Sequence, residues 1–255
     1  MIIQFLGLPG SGKTAIADAV RDRTNAIHLN ADQIRAGLNK DLGFSPEDRI
    51  EQARRMGELA RLLENIQDKP VLVDFVCPTE ETRKAFGEAD VVVWVDTIKE
   101  GRFEDTNKLW EDPIHYDHRI EVTGDEHTDA LATRAITVVR KFGMVDWKED
   151  TVLMLGRYQP WHEGHRALYE EAKKKAYQVV LGVRHTQGMT PKDPLSFNDV
   201  NKYIHEDIPG AFVVKMPNIT NISYGRDVGY KIEQIELDPS IQAISATEKR
   251  KEMGI

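Results

Sequence analysis

The first segment whose residues could bind a ligand or take part in a reaction is a glycine-rich loop near the start of the chain. It runs from Gly7 to Thr14 (GLPGSGKT) and follows the apolar run IIQFL. Loops of the pattern GxxxxGK[ST] between a strand and a helix bind nucleotide phosphates through backbone N–H groups and the helix N-terminus. Lys13 is expected to reach the β- and γ-phosphates of ATP, and the Thr14 hydroxyl to bind Mg²⁺. The residues expected to bind this nucleotide are Gly7, Gly10, Ser11, Gly12, Lys13 and Thr14.

Polar residues follow the next short apolar run, at the predicted carboxyl edge of a sheet. Asp32 and Arg35 lie there, ahead of the segment GLNKDLGFSPEDRIEQARRMGELARL. In order and spacing, these residues resemble adenylylsulfate kinases over about residues 3–97. The resemblance implies that Asp32 activates the acceptor hydroxyl or positions Mg²⁺, that Arg35, Asn39 and Arg49 hold a sulfonucleotide, and that Phe44 stacks on its adenine. For Arg49, a solvated helix face is the alternative.

The chain departs from that family at several positions. Asn30, Ala31, Gln52 and Cys77 stand where the family usually carries aspartate, glycine, asparagine and serine. Asp74 ends an apolar run, as a magnesium-directed carboxylate does, and is expected to supply the charge that Asn30 cannot. Magnesium is therefore expected to bind through Thr14, Asp32 and Asp74. The later segment EGRFEDTNKLWEDPIHYD lacks the family's lysine-rich lid, and Arg102 and Lys108 are expected to cover the phosphates instead.

A second chemical motif, GRYQPWHEGH, spans residues 156–165 and is followed about eighty residues later by ISATEKR at 244–250. The pair resembles the nucleotidylyltransferase superfamily with HxGH and ISxTxxR signatures. It is most similar to archaeal-type nicotinamide-mononucleotide adenylyltransferases and small cytidylyltransferases, over about residues 151–252. The resemblance implies transfer of a nucleotidyl group from ATP or CTP to a small phosphorylated acceptor, with release of pyrophosphate.

Such a reaction needs charge stabilisation more than proton transfer. His162, His165 and Arg250 are expected to be catalytic, by contacting the phosphates whose charge changes. The residues expected to bind this second nucleotide are Gly156, Arg157, Tyr158, Gly164, Ser245 and Thr247. A zinc site that combines the two histidines with His185 or His205 is one alternative. An ordinary helix cap is the alternative for Ser245 and Thr247.

Recurrent apolar runs of strand length must position these motifs. Runs such as VLVDFV, VVVWV and TVLMLG alternate with helical patterns, which is typical of parallel α/β folds. We predict two tandem domains with doubly wound parallel sheets: a P-loop kinase at 1–147 and a Rossmann-like HxGH nucleotidylyltransferase at 151–255. The polar turn at 146–150 separates them.

Composition restricts the partners. With 34 Lys and Arg against 42 Asp and Glu, the net charge is −8, which argues against binding of nucleic acid or anionic membranes. A single cysteine excludes an intrachain disulfide, and no apolar run is long enough to span a bilayer. The sequence therefore predicts a cytoplasmic bifunctional transferase acting on small molecules, with homo-oligomerisation left open. The alternative is a nucleotide sensor or scaffold with one silent domain.

Overall fold

The computed structural model describes residues 1–67, 69–121, 129–186, 190–223, 225–226 and 229–254. The chain forms two compact units, Met1–Trp147 and Lys148–Ile255. Each unit is built on its own parallel sheet. Among the described residues, no helix has the length and apolar character needed to cross a membrane.

The first unit contains a five-stranded sheet in the order β2-β3-β1-β4-β5, with every neighbouring pair parallel. Its strands are β1 (Ile2–Leu6), β2 (Ile27–Asn30), β3 (Val71–Asp74), β4 (Val91–Asp96) and β5 (His118–Glu121). Its helices are α1 (Lys13–Thr24), α2 (Ala31–Ala36), α3 (Pro46–Ile66), α4 (Glu80–Phe86), α5 (Glu104–Leu109) and α6 (Asp129–Lys141).

Helices cover both faces of this sheet. Ile3 and Phe5 of β1 pack with Val20 of α1 in one core cluster, which also includes residues of α6. Ile2 and Leu6, whose side chains point to the opposite face, lie in a second cluster with residues of α3 and α4. The doubly wound parallel sheet predicted for the first unit is confirmed.

Local signals set the helix starts near the site. Gly12 adopts a left-handed conformation, with a φ of 89°, immediately before α1, which glycine tolerates without steric cost. The Ser45 side chain accepts a hydrogen bond from the Asp48 N–H, and Pro46 occupies the first turn of α3. The loops that follow β1 and β3 lead into α1 and α4 at the carboxyl edge of the sheet, where α/β proteins bind ligands.

The second unit has a three-stranded parallel sheet in the order β6-β7-β8. Its elements are β6 (Thr151–Gly156), α7 (Glu163–Lys173), β7 (Gln178–Arg184), α8 (Phe197–Asp207), β8 (Phe212–Met216), α9 (Pro239–Gln242) and α10 (Ala246–Met253).

The described part of this second sheet is wound on one side. Leu181 of β7 shares a core cluster with Tyr169 of α7 and Ile204 of α8, so both helices cover the same face. On the other face Leu153 is 52% exposed and Val214 is 37% exposed. Two right-handed crossovers in a consecutive strand order place both helices on one side. The parallel α/β class predicted here is observed, but the second wound face is not found among the described residues.

Candidate functional site

The loop after β1 has the backbone shape of a phosphate cradle. Gly10 and Gly12 have φ values of 97° and 89°, in the region that favours glycine. At Gly7, a Cβ atom would lie 2.4 Å from the Val95 carbonyl oxygen, so the close approach of loop and β4 requires glycine. Ser11 is buried, and its Oγ has no hydrogen-bond partner among the described residues. The loop thus turns backbone N–H groups and the start of α1 toward one point.

Lys13 and Thr14 begin α1 at that point. Lys13 is buried, and its Nζ donates to the Leu8 carbonyl oxygen at 2.9 Å. Burial lowers the pKa of Lys13 to about 8, although the negative charges of Asp74 and Asp32 oppose the shift. The Thr14 hydroxyl donates to Asp74 Oδ2 at 2.5 Å. The structure therefore brings together the lysine, hydroxyl and carboxylate that the sequence analysis assigned to one site.

Asp74 is only 2% exposed and accepts several hydrogen bonds. The Asn30 side-chain amide donates to both of its oxygens at 3.1 Å. His28 Nε2 lies 2.7 Å from Asp74 Oδ1, and His28 Nδ1 lies 3.1 Å from Asp18 Oδ1. Burial alone would lower the pKa of His28, but the hydrogen bonds to Asp74 and Asp18 outweigh it and raise that pKa.

These groups have the donor chemistry that magnesium prefers. Mg²⁺ binds oxygen ligands, and in nucleotide sites it takes one or two protein groups beside the phosphates. The Thr14 hydroxyl and the buried Asp74 carboxylate offer such oxygens in direct contact with each other. Asp32, the third predicted ligand, is exposed and lines the same cavity. The residues therefore fit a metal beside the loop.

A cavity of about 760 Å³ opens from the phosphate loop. Asp32, Arg35, Phe44 and Arg49 all line it, as the resemblance implied for an acceptor site. The guanidinium carbon of Arg35 lies 4.8 Å from the centroid of the Phe44 ring, and that of Arg49 lies 5.7 Å from it. Burial and the charge of Arg49 lower the pKa of Arg35. Arg49 also donates to Asp105 Oδ2 at 2.9 Å, so it is not simply a solvated helix residue.

Asn39 lies elsewhere. It is buried and absent from the cavity lining, and its amide donates to Gln52 Oε1 at 2.9 Å. Gln52 in turn donates to the Ala31 carbonyl oxygen at 3.2 Å and does line the cavity. The expectation that Asn39 contacts a substrate is therefore not met by this geometry. The Gln52 side chain is longer than the asparagine that the resemblance implied at this position. It hydrogen-bonds to Asn39 and also lines the cavity.

The two cationic residues that were expected to cover the phosphates, Arg102 and Lys108, lie in different environments. Arg102 lines the cavity, and its backbone N–H donates to the Pro9 carbonyl oxygen of the phosphate loop at 3.3 Å. Lys108 is exposed and pairs with Glu104 at 2.7 Å within α5. Arg102 is thus placed to meet phosphates, and Lys108 is not. Cys77 is buried, and burial raises the pKa of its thiol to about 12, so it is no nucleophile.

The sequence analysis did not single out His28, Phe75 or Phe103. Phe75 and Phe103 line the cavity, where their rings supply apolar surface. His28 lies two residues before Asn30 in β2, so both side chains share one face of the strand. That polar alternation within an otherwise apolar strand was a usable signal for His28.

In the second unit, the two predicted histidines form a stacked pair at the start of α7. Their ring centroids are 3.8 Å apart and their planes differ by 25°. His162 Nδ1 accepts a hydrogen bond from the Gly164 N–H at 3.2 Å, so the neutral ring carries its proton on Nε2. Burial, with the nearby His162, lowers the pKa of His165 to about 3. His165 Nδ1 is buried and has no hydrogen-bond partner in the described part of the chain.

The ISATEKR segment forms α10 and meets the histidine loop. Ser245 caps the helix by accepting the Thr247 N–H at 3.2 Å. Arg250 Nη1 donates to the Gln159 carbonyl oxygen at 2.5 Å, and its Nη2 donates to Thr247 Oγ1 at 3.1 Å. The hydroxyl and guanidinium of α10 therefore lie beside the loop that carries the histidines.

The other side chains of the GRYQPWHEGH loop differ in how far they are buried. The Tyr158 side chain is buried, and its hydroxyl donates to the Met154 carbonyl oxygen at 2.9 Å. A Cβ at Gly156 would lie 2.6 Å from the Tyr158 ring, so the glycine leaves room for the tyrosine side chain. Arg157 is half exposed and reaches Asp193 at 3.4 Å. The Gly164 N–H, which bonds His162, is part of the first turn of α7.

The described residues do not support the alternative of a zinc site. No group of three or more His, Cys, Asp and Glu side chains there is arranged to hold a metal. His205 Nδ1 instead bonds to the Asn201 carbonyl oxygen at 2.8 Å, one helical turn earlier.

The parallel sheet with a phosphate loop after β1 defines the first unit as a P-loop kinase fold. More specifically, residues 1–102 match the family model for adenylylsulphate kinase. An adenylyl-sulfate kinase of Oceanobacillus iheyensis is 41% identical over 87 residues, covering 32% of this chain and 43% of that protein. The bifunctional enzyme NodQ of Azospirillum brasilense is 30% identical over 174 residues, covering 57% of this chain and 28% of that protein.

This chain therefore spans less than half the length of these curated relatives. Among solved structures, the Mycobacterium tuberculosis APS kinase CysC in complex with AMPPNP and APS is similar at 25% identity. The match covers 55% of this chain and 96% of that one, with a TM-score of 0.45. The first 102 residues thus carry an adenylylsulphate-kinase-like sequence on a P-loop α/β unit.

Proposed function

We propose that the chain is a bifunctional transferase whose first unit phosphorylates adenylylsulfate with ATP. The observation that carries this proposal is the cavity that joins the phosphate loop to Arg35, Phe44 and Arg49. Two guanidiniums match the phosphosulfate of such an acceptor, and the ring between them offers a surface for its adenine. The family match of residues 1–102 and the relatives named adenylyl-sulfate kinase support the same substrate.

Each group of the first site has a role in phosphoryl transfer. An acceptor hydroxyl oxygen forms a bond to the γ-phosphorus, the bond from that phosphorus to the β,γ-bridging oxygen breaks, and ADP leaves. Asp32, an exposed residue that lines the cavity, takes the hydroxyl proton. Lys13 is cationic below pH 8 and stabilises charge on the phosphates. Thr14 and Asp74 hold Mg²⁺, which when bound neutralises phosphate charge.

The second unit transfers a nucleotidyl group from ATP or CTP to a small phosphorylated acceptor. His162, with its proton on Nε2, donates to a phosphate oxygen, and Arg250 adds positive charge from α10. The acceptor's oxygen attacks the α-phosphorus, and pyrophosphate departs. We also propose that the two compact units correspond to independent domains, with the kinase at 1–147 and the transferase at 151–255.

The kinase assignment is tested by incubating the full chain with Mg²⁺, ATP and adenylylsulfate and measuring ADP and phosphorylated acceptor. We expect Arg49→Ala to raise the KM for the acceptor, whereas Lys108→Ala, which changes an exposed lid lysine outside the cavity, should not. If ADP formation does not depend on adenylylsulfate, the acceptor is wrong. If ATP is bound but never consumed, the first unit is a sensor.

The transferase assignment needs a panel of substrates. Nicotinamide mononucleotide with ATP, and small phosphorylated alcohols with CTP, are tested for pyrophosphate release by the full chain. Activity should disappear in His162→Ala and persist in His205→Ala, because the His205 ring bonds to the Asn201 carbonyl oxygen within α8. Binding of a triphosphate without pyrophosphate release under all these conditions would assign a silent, regulatory role to the second unit.

A further inference from the structure

His28 has a buried polar side chain in the first unit, and the proposed function gives it no role. Its side chain is 6% exposed and lies in β2, on the same face as Asn30. Its two ring nitrogens face two carboxylates, Asp74 at 2.7 Å and Asp18 at 3.1 Å. Buried polar side chains in such a complete bonding arrangement have a fixed orientation.

The contacts of Asp74 are divided between its two oxygens. Oδ1 receives His28, Oδ2 receives the Thr14 hydroxyl at 2.5 Å, and the Asn30 amide bridges both. Rotation of the carboxylate would therefore break the His28 bond and the Thr14 contact together. Asp18, on α1, fixes the other side of the imidazole ring. The side-chain contacts from Asp18 through His28 to Asp74 thus link the first helix to the end of β3.

We propose that His28 is a positioning residue that holds the Asp74 carboxylate with Oδ2 directed toward Thr14 and so sets the affinity of the phosphate loop for a divalent cation. The inference rests on the proposed function of the first unit, because it takes Asp74 and Thr14 as the metal-directed pair. Groups that orient a metal-directed side chain typically change metal affinity by about 10- to 100-fold when removed. His28 is not among the residues that line the cavity at the phosphate loop, so we infer that it acts through Asp74.

The test measures Mn²⁺ binding to the full-length protein in the presence of ADP, by electron paramagnetic resonance. His28→Leu should weaken Mn²⁺ binding about tenfold and leave binding of ADP without metal within about twofold of wild type. His118→Leu is the matched control. It removes a histidine from β5 of the same sheet, outside the cavity lining, and should leave both affinities unchanged.

A conservative pair separates positioning from folding. In His28→Gln the amide nitrogen takes the place of Nε2 and can still donate to Asp74, so Mn²⁺ affinity should stay within about threefold of wild type. In His28→Asn the shorter amide corresponds to Nδ1 and faces Asp18, so Mn²⁺ affinity should fall about tenfold. This comparison decides the question even where the leucine variant does not fold.

The proposal is overturned if His28→Leu or His28→Asn is folded and binds Mn²⁺ as wild type does. It is also overturned if metal-free ADP binding falls as much as Mn²⁺ binding, because His28 would then only maintain the loop. Failure of the kinase proposal has a different result. In that case no acceptor is phosphorylated, while the dependence of Mn²⁺ affinity on residue 28 remains.

Discussion

Asn30 and Asp74 are register partners at the ends of β2 and β3, and the Asn30 amide donates to both Asp74 oxygens at 3.1 Å. A carboxylate and its amide analogue thus face each other across two adjacent strands. The family resemblance implied an aspartate at the β2 position. In this chain the negative charge is on β3 instead, and it lies beside the phosphate loop because Thr14 contacts Asp74.

The relocated charge gives a prediction for Asp74→Asn. We expect kcat for ADP formation to fall about 100-fold, a larger effect than any weakening of ATP binding, because the amide holds less firmly the Mg²⁺ that neutralises phosphate charge in the transition state. The exchange variant, with Asn30→Asp and Asp74→Asn together, should regain at least about tenfold of the loss. Steady-state kinetics at saturating Mg²⁺ provide the measurement. An Asp74→Asn enzyme as active as wild type would reduce Asp74 to a structural partner of His28.

Lys13 gives a pH-dependent prediction. Burial lowers the pKa of its ammonium group to about 8, so the free protein loses this positive charge as pH rises through 8. Phosphates bind the charged form, and the dissociation constant for metal-free ATP should rise about 20-fold between pH 7.5 and 9.5. The guanidinium of a Lys13→Arg variant does not titrate in this range and should give a flat profile. Lys13→Ala should abolish ADP formation, and calorimetric titration with ATP checks the pH profile.

Much of the first unit could be predicted from sequence because its information is local. The phosphate loop has fixed residue types at fixed spacing, and apolar runs such as Ile2–Leu6 indicate strands buried on both faces. The directions of individual side chains depend on packing between distant segments. Asn39 was expected to meet substrate, but it is bound by Gln52 of α3, and the sequence alone gives no signal for that pair.

The second unit shows the same limit. The histidine pair and its neighbour Arg250 could be assigned from two motifs separated by about eighty residues. The inward orientation of Tyr158 could not, because it depends on the core beneath β6 and on the absent side chain of Gly156. The one-sided sheet also depends on strand order, which periodicity does not specify.

His165 provides a prediction about stability. Its folded-state pKa of about 3 lies below the ordinary value of 6.5, so the unfolded chain binds a proton more readily. The neutral ring therefore contributes stability above pH 6.5, and that contribution decreases as pH falls toward 3. Between pH 7 and pH 5 the loss should be about 2 kcal/mol. A His165→Asn variant should show a flatter pH dependence, measured by hydrogen exchange of α7 amides during denaturant titration.

Two observations would contradict that prediction. One is a His165 ring that titrates between pH 5 and pH 7 in the nuclear magnetic resonance spectrum of the folded protein. The other is an equal pH dependence in wild type and His165→Asn. His205→Asn is the control, because it removes a histidine of the same unit from α8 and leaves His165 in place. This variant should keep the loss of stability at low pH that depends on His165.

The last prediction concerns the independence of the two sites. His162→Ala and Arg250→Ala should each lower pyrophosphate release by about 100- to 1,000-fold, because each removes a donor to charge that develops on the second nucleotide. Both should leave ADP formation by the first unit unchanged, since the phosphate loop, Asp74 and the acceptor cavity all lie within Met1–Trp147. Arg250→Ala should also loosen α10, because Arg250 bonds the Gln159 carbonyl oxygen of the histidine loop. Parallel assays of ADP and pyrophosphate on each variant distinguish the outcomes. A fall in both products would mean that the two units work as one catalytic body, and that the boundary near residue 148 does not separate their functions.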